Sequence, residues 1–448
     1  MFSTRTPGDF QPNRLNVALP ARRSAGQEVL DLTLSNPTRA GLDYPNAEIL
    51  DALSDARSLT YEPTPRGLPA ARDAIAAHHV LRGQHADPER LILAGSTSEA
   101  YGWLFKLLCE PGDEVLVPRP SYPLFECLAT LDAVRVAEYS LPEDLNWGLD
   151  LDALESARTA RTRALVLVNP NNPTGAFLKR AEWQRLQAWA ASRRLAIIAD
   201  EVFADYAWEA GGTRVDALTR EAGGAQPPLP HGRGSASGRL PSGRSRDREG
   251  AVGFECETPG ARPQSESGSA RISTFEATGE ALVFTLSGLS KVAGMPQMKL
   301  GWIHASGPRT LLSGALERLE WIADAYLPVS APVQHAAVRW MKLVPQIQAA
   351  IRARCLENLA AARAAFSPKS GARIMQPEGG WCVVIDVPRF HTEEQWTLRL
   401  LEREGVLLQP GFFYDFEREA LLVASLLPEP AVFREGFKRL ERTLLGVA

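Results

Sequence analysis

Short, unbroken apolar runs recur along this chain, separated by longer stretches with helical spacing. Leu91–Ala94, Val115–Val117, Ala164–Val168, Leu195–Ala199 and Leu282–Leu286 show no polar alternation. Strands buried on both faces have this pattern. Between them, a helix is predicted from Ser96 to about Cys109, where Tyr101, Leu104, Phe105 and Leu108 fall at i, i+3, i+4 and i+7. Arg180–Arg194 has a helical pattern too. Repeated strand–helix units predict an α/β fold, with a mostly parallel sheet carrying helices on both faces. The last third, from about Glu317, is helical and then mixed. GGWCVVIDVP and VLLQPGFFYDF supply strand and turn signals, and Pro430–Leu445 predicts a final helix. A second, smaller α+β domain follows from this.

One stretch breaks the pattern. Residues 211–273 are rich in Gly, Arg, Ser, Pro and Glu, with too few large apolar side chains to offset the entropy of ordering them. A disordered surface insertion is the expectation, with a regulatory or partner-binding segment as the rival. Loop closure entropy rises slowly with length, so the sheet can tolerate such an insertion.

Composition adds exclusions. The chain has 448 residues, 45% of them hydrophobic, and a formal net charge of -4. That length suggests two or three domains, and so small a charge makes no case for nucleic acid or an anionic membrane as partner. The opening MFSTRTPGDFQPNRLN lacks the apolar centre of a signal peptide. No run approaches the roughly 20 apolar residues of a membrane helix. The five cysteines (Cys109, Cys127, Cys256, Cys355, Cys382) are scattered, without a CxxC pair. They predict free thiols, no metal site, and a reducing compartment, by default the cytoplasm.

Candidate chemistry sits where predicted strands end, the edge at which open parallel sheets bind ligands. After Ala94, the capping-box spacing of Ser96-Thr97-Ser98-Glu99 marks a helix start. It is either a simple cap or a phosphate cradle. After Val168, the run from Asn169 to Gly175 (NPNNPTG) makes a rigid turn that can aim amide side chains. After Ala199 come Asp200 and Glu201. A buried acid needs a partner, whether an ion pair, a helix end or a protonated heterocycle. After Leu286, Lys291 lies in SGLSKVAG among small and apolar residues, where low polarity makes an amine nucleophilic toward carbonyls.

In this order the motifs resemble the class I/II aminotransferases of the pyridoxal-phosphate (PLP) fold type I. The most specific matches are NPNNPTG, ADEVF at Ala199–Phe203, and SGLSKVAGMPQMKLGW from Ser287 to Trp302. The resemblance spans nearly the whole chain outside the insertion. It implies an N-terminal arm with part of the small domain in residues 1–45, a large cofactor domain in 46–315 and a small domain in 316–448. It implies a PLP enzyme that moves an amino group from a donor, expected to be an amino acid, to a 2-oxo acid. Lys291 would carry the cofactor as a Schiff base, Asp200 would pair with the pyridinium nitrogen, and Asn172 would bond the phenolic oxygen. Tyr122 would stack on the ring, while Ser96, Thr97, Ser98, Ser290 and Lys299 would hold the phosphate. Tyr61 would reach the phosphate of a neighbouring subunit in a homodimer.

Three positions depart from the family pattern. Phe203 stands where a Tyr usually bonds the ring oxygen, so the Schiff base should keep its proton to higher pH. Lys299 replaces a phosphate arginine and loses its bidentate fork. Val423 stands where an arginine grips the substrate α-carboxylate. Ser35, Arg39 and Arg66 are the candidates for substrate binding that remain. A PLP lyase or decarboxylase of the same fold is the alternative, and a non-catalytic binding protein is disfavoured by the retained Lys291, Asp200 and Asn172.

Overall fold

The structure, a computed structural model, describes residues 1–6, 12–208, 271–276 and 279–446. Thirteen strands are described. They are β1 (Leu30–Asp31), β2 (Leu91–Ala94), β3 (Glu114–Arg119), β4 (Arg135–Ser140), β5 (Thr162–Val168), β6 (Ala196–Asp200), β7 (Val283–Gly288), β8 (Gly301–Ser306), β9 (Arg373–Ile374), β10 (Cys382–Asp386), β11 (Val406–Leu407), β12 (Gln409–Pro410) and β13 (Leu421–Ser425). A seven-stranded sheet has the order β2-β8-β7-β6-β5-β3-β4. Only β8 runs against the others, antiparallel to both β2 and β7. The mostly parallel α/β architecture is therefore present.

The unbroken apolar runs have a direct physical outcome. Strand side chains alternate between faces, and here both faces are covered. Val115, Val117, Ala164, Val166, Ala196 and Ile198 enter one core, with the Thr97–Leu108 and Arg309–Tyr326 helices. Leu116, Leu165, Leu167, Ile197 and Ala199 enter another, with the Leu151–Ala157 and Arg180–Ser192 helices.

The second sheet is antiparallel, ordered β12-β13-β10-β9. It packs on both faces too: Val384, Leu421 and Val423 join the second core, while Val383, Ile385, Leu422 and Ala424 join a third. That third core also takes the long Ala331–Arg363 helix and the Pro430–Leu445 helix. Near the N-terminus, β1 pairs in parallel with β11, Leu30 opposite Val406.

Residues 211–270 of the expected insertion, with Cys256, lie outside the described residues. The end of that segment needs correction. Arg271 bridges to Lys179, and the Ser273 hydroxyl donates to Glu201 at 2.5 Å. Residues 271–273 therefore belong to the packed fold, because Glu201, buried among polar partners, draws them in. Among the described residues, no helix is long and apolar enough to cross a membrane.

Candidate active site

Three parallel strands stop at one edge. Val168 pairs with Asp200 and Asp200 pairs with Leu286, and neighbouring strands lie about 4.8 Å apart. The NPNNPTG turn, the Asp200 carboxylate and the segment carrying Lys291 therefore leave the sheet side by side. Gly301 of β8 pairs with Ala94 on one side and Gly288 on the other. This draws the start of the Thr97–Leu108 helix next to the lysine segment. A Cβ on Gly301 would sit 2.9 Å from the Ser96 carbonyl carbon and 3.0 Å from the Thr97 nitrogen. The close approach requires glycine.

Lys291 emerges from the short Leu289–Val292 helix. Its Nζ lies 5.6 Å from the Phe203 ring centre and 5.4 Å from that of Trp381. Among the described residues no carboxylate pairs with it. Burial lowers its pKa from the usual lysine value, with Cys382 and Asp200 pulling the other way. The backbone around it is pinned: Tyr206 Oη donates to the Lys291 carbonyl at 2.7 Å, Gln348 to the Val292 carbonyl at 2.9 Å, and Tyr44 to the Gly294 carbonyl at 2.8 Å.

Asp200 is the second charged group. Burial pushes its pKa up to about 6, against the Val202 N–H, the Tyr101 hydroxyl and the Lys291 charge. Its neighbour Glu201 faces elsewhere and is fully used, accepting from Asn169, Ser273 and Thr274. The three asparagines of the turn divide their labour. Asn169 donates to Glu201 and the Ile272 carbonyl, and Asn171 donates to the Pro120 carbonyl. Asn172 is half-buried and has no hydrogen bond among the described residues. Gly175 closes the turn at φ +74°, where an added Cβ would collide with the Gly379 carbonyl.

At the helix start, Ser96 Oγ accepts the Glu99 N–H at 3.2 Å, and Glu99 accepts the Gly95 N–H at 2.7 Å. The carboxylate of the expected capping box thus reaches back one residue further than Ser96. Thr97, Ser98 and Ser290 are half-buried, with hydroxyls uncommitted among the described residues. Lys299 is exposed, in left-handed backbone at φ 49°, without an ion pair there. Tyr122 is half-exposed and held by its neighbour, since the Ser121 N–H donates to the Tyr414 carbonyl.

Other residues stand apart. Tyr61 is 78% exposed and lines an open cleft with Thr60, Leu93 and Pro328. Arg66 is engaged: its guanidinium pairs with Glu320 at 2.6 Å and donates to the Glu89 carbonyl. Arg39 and Ser35 are exposed, and Arg39 has no ion pair among the described residues. Val423 is 1% exposed, paired with Val384 and Gln409, and offers no charge. Sequence reasoning did not single out Tyr206, Trp381 or the polar role of Tyr101. Each is an aromatic inside an apolar pattern, and that pattern signals packing.

The aminotransferase class I and II family model matches residues 27–226 and 253–423. A glutamate-pyruvate aminotransferase of Haemophilus influenzae is 26% identical over 94% of this chain and 91% of its own. An alanine aminotransferase of Mycobacterium tuberculosis is 24% identical over 94% and 86%. Among solved structures, alanine aminotransferase from Pyrococcus furiosus superposes with a TM-score of 0.76 at 22% identity, covering 99% of both chains. Aspartate aminotransferase from Thermotoga maritima gives 0.73 at 18% identity, over 99% and 100%.

Proposed function

This chain belongs to the class I and II aminotransferases, and from that premise we propose that it uses pyridoxal phosphate held on Lys291 to move amino groups from an amino acid to a 2-oxo acid. The observation that carries the proposal is the pair of half-buried ionisable groups without an ion pair among the described residues, Asp200 at the end of β6 and Lys291 in the short helix that follows the adjacent β7. The donor set suits the cofactor: an amine for an aldehyde, an acid for a ring nitrogen, an uncommitted Asn172 amide for a phenolic oxygen. The hydroxyls of Thr97, Ser98 and Ser290 and the free N–H groups of a helix start suit a phosphate.

When bound, the cofactor supplies a carbonyl that condenses with amines and a ring that accepts electrons from the substrate α-carbon. The protein supplies the rest. Burial keeps the Lys291 Nζ neutral more readily, so it can attack a carbonyl and then take a proton from a neighbouring carbon and return it. Asp200 would hold a proton on the ring nitrogen. Asn172 would donate to the phenolic oxygen, and Tyr122 would cover one ring face. Phe203 offers no hydroxyl, so this oxygen receives one hydrogen bond fewer.

The names of the glutamate-pyruvate and alanine aminotransferases among the relatives support glutamate or alanine as the amino acid. Val423 leaves its α-carboxylate without a cation from β13, and a buried unpaired charge is strongly disfavoured. We assign that contact to Arg39. It follows Pro37, whose Cβ would lie 3.4 Å from a Cβ on Gly294 in the lysine segment. Arg66 is tied to Glu320, which favours Arg39 for the role. Two subunits would share each site through Tyr61. Residues 1–45 and 316–448 would form the small domain and 46–315 the large one, a division that the β1–β11 pairing supports. The free thiols suit the cytoplasm.

Borohydride fixation of pyridoxal phosphate tests the proposal. Wild type should gain the mass of one reduced cofactor per chain, located by peptide mapping at Lys291. Lys291→Ala should gain none and show no multiple turnover with amino acids and 2-oxo acids. A Lys291→Ala protein that still fixes one cofactor would refute the assignment.

A further inference from the structure

Asp200 is half-buried at the end of β6, yet among the described residues no cation lies within ion-pair distance of it. Its two oxygens are held by neutral donors: Oδ1 accepts the Val202 N–H at 3.1 Å, and Oδ2 accepts the Tyr101 hydroxyl at 3.1 Å. Tyr101 is 1% exposed, with its ring edge-on to Phe125 at 5.4 Å. Asp200 is the sole partner of its phenol among the described residues. It lies four residues beyond Thr97, about 6 Å deeper along the same helix. One helix therefore places uncommitted hydroxyls at its start and a phenol against the acid of β6.

We propose that Tyr101 is a positioning residue for the cofactor ring, fixing the Asp200 carboxylate and keeping it ionised so that the shared proton stays on the ring nitrogen. The inference rests on the pyridoxal-phosphate reading above. A hydrogen bond to a buried carboxylate is charge-assisted and favours the ionised form. A neutral donor does this without competing for the ring, whereas a cation at the same place would itself pair with Asp200. Each carboxylate oxygen can accept more than one bond, so the contacts to Val202 and Tyr101 leave room for the ring N–H. Without the phenol, Asp200 would hold its proton more tightly, and the shared proton would move from nitrogen toward oxygen.

The test uses holoenzyme loaded with pyridoxal phosphate labelled with ¹⁵N in the ring. In Tyr101→Phe the ring-nitrogen chemical shift should move toward that of unprotonated pyridine, and the cofactor should dissociate about tenfold more readily. A weaker cofactor hold with an unchanged ¹⁵N shift would mark Tyr101 as packing alone and overturn the inference. Should Tyr101→Phe fail to fold, 3-fluorotyrosine placed at position 101 keeps the shape and strengthens the donor. The shift should then move the opposite way, and an unmoved shift overturns the inference. Wild-type protein that takes up no pyridoxal phosphate would overturn both this inference and the reading beneath it. Uptake with identical shifts in wild type and variant would overturn this one alone.

Discussion

Asp200 has neutral hydrogen-bond donors but no cationic partner among the described residues. Its pKa is raised by burial to about 6, above the ordinary carboxylate range. Between those values the folded state binds more protons than the unfolded one, so this group's contribution to cofactor-free stability falls as pH rises from about 4 through 6, and stays low above. Asp200→Asn cannot ionise, and its amide can still bond the Tyr101 hydroxyl. Without cofactor the variant should match wild type near pH 4 and exceed it near pH 8 by up to roughly 3 kcal/mol. Thermal melts of both proteins at the two pH values read this directly. A difference that does not widen with pH would mean the carboxylate is stabilised by something other than its two neutral donors. Asp200 was legible in the sequence because an acid ending an apolar strand is conspicuous. The polar role of Tyr101 was not, since its aromatic ring fits the helical apolar stripe and its hydroxyl finds Asp200 only through tertiary packing.

Among the elements, five of the large sheet's seven strands were legible and their order was not. An unbroken apolar run specifies burial on both faces, and the five predicted runs all became strands of the large sheet. GWIHAS, which forms β8, has a tryptophan, a histidine and a glycine and carries no such signal. Yet this reversed strand is what joins the Thr97–Leu108 helix to the lysine segment, through Gly301. Gly301→Ala would press a Cβ against backbone at 2.9 and 3.0 Å, and backbone cannot yield as a side-chain tip can. The expected outcome is a loss of about 1–3 kcal/mol of stability, with weaker cofactor binding as Ser96 and Thr97 move off. Denaturant melts with and without cofactor separate the two effects. A cofactor affinity equal to wild type would show that the helix start takes no part in binding. The insertion's limits were also blurred, because composition marks a polar stretch but does not reveal that Ser273 serves Glu201. The family match leaves only residues 227–252 uncovered within that region, narrower than the 211–273 read from composition.

At the scale of the whole molecule, Tyr61 is the residue whose place a single chain does not explain. It is 78% exposed, and Leu59 beside it is 90% exposed. The whole run from Leu59 to Pro63 is exposed, and large apolar side chains left open so close together suit an interaction surface. If two subunits associate about a twofold axis, whatever Tyr61 of one does for the other is done in return. A hybrid dimer distinguishes a shared site from a self-contained one. Tyr61→Ala and Lys291→Ala chains, carrying different affinity tags and produced together, yield a purified heterodimer. Should Tyr61 serve the neighbouring subunit, the Tyr61→Ala chain keeps its own Lys291 and receives an intact Tyr61 from its partner. One of the two sites is then complete, and the heterodimer should show about half the wild-type turnover per dimer, well above either parent. If Tyr61 acts within its own chain, both sites of the hybrid are damaged. The heterodimer would then show no more than the average of its parents, and the shared-site arrangement would fail while the fold and the proposal for Lys291 are left untouched.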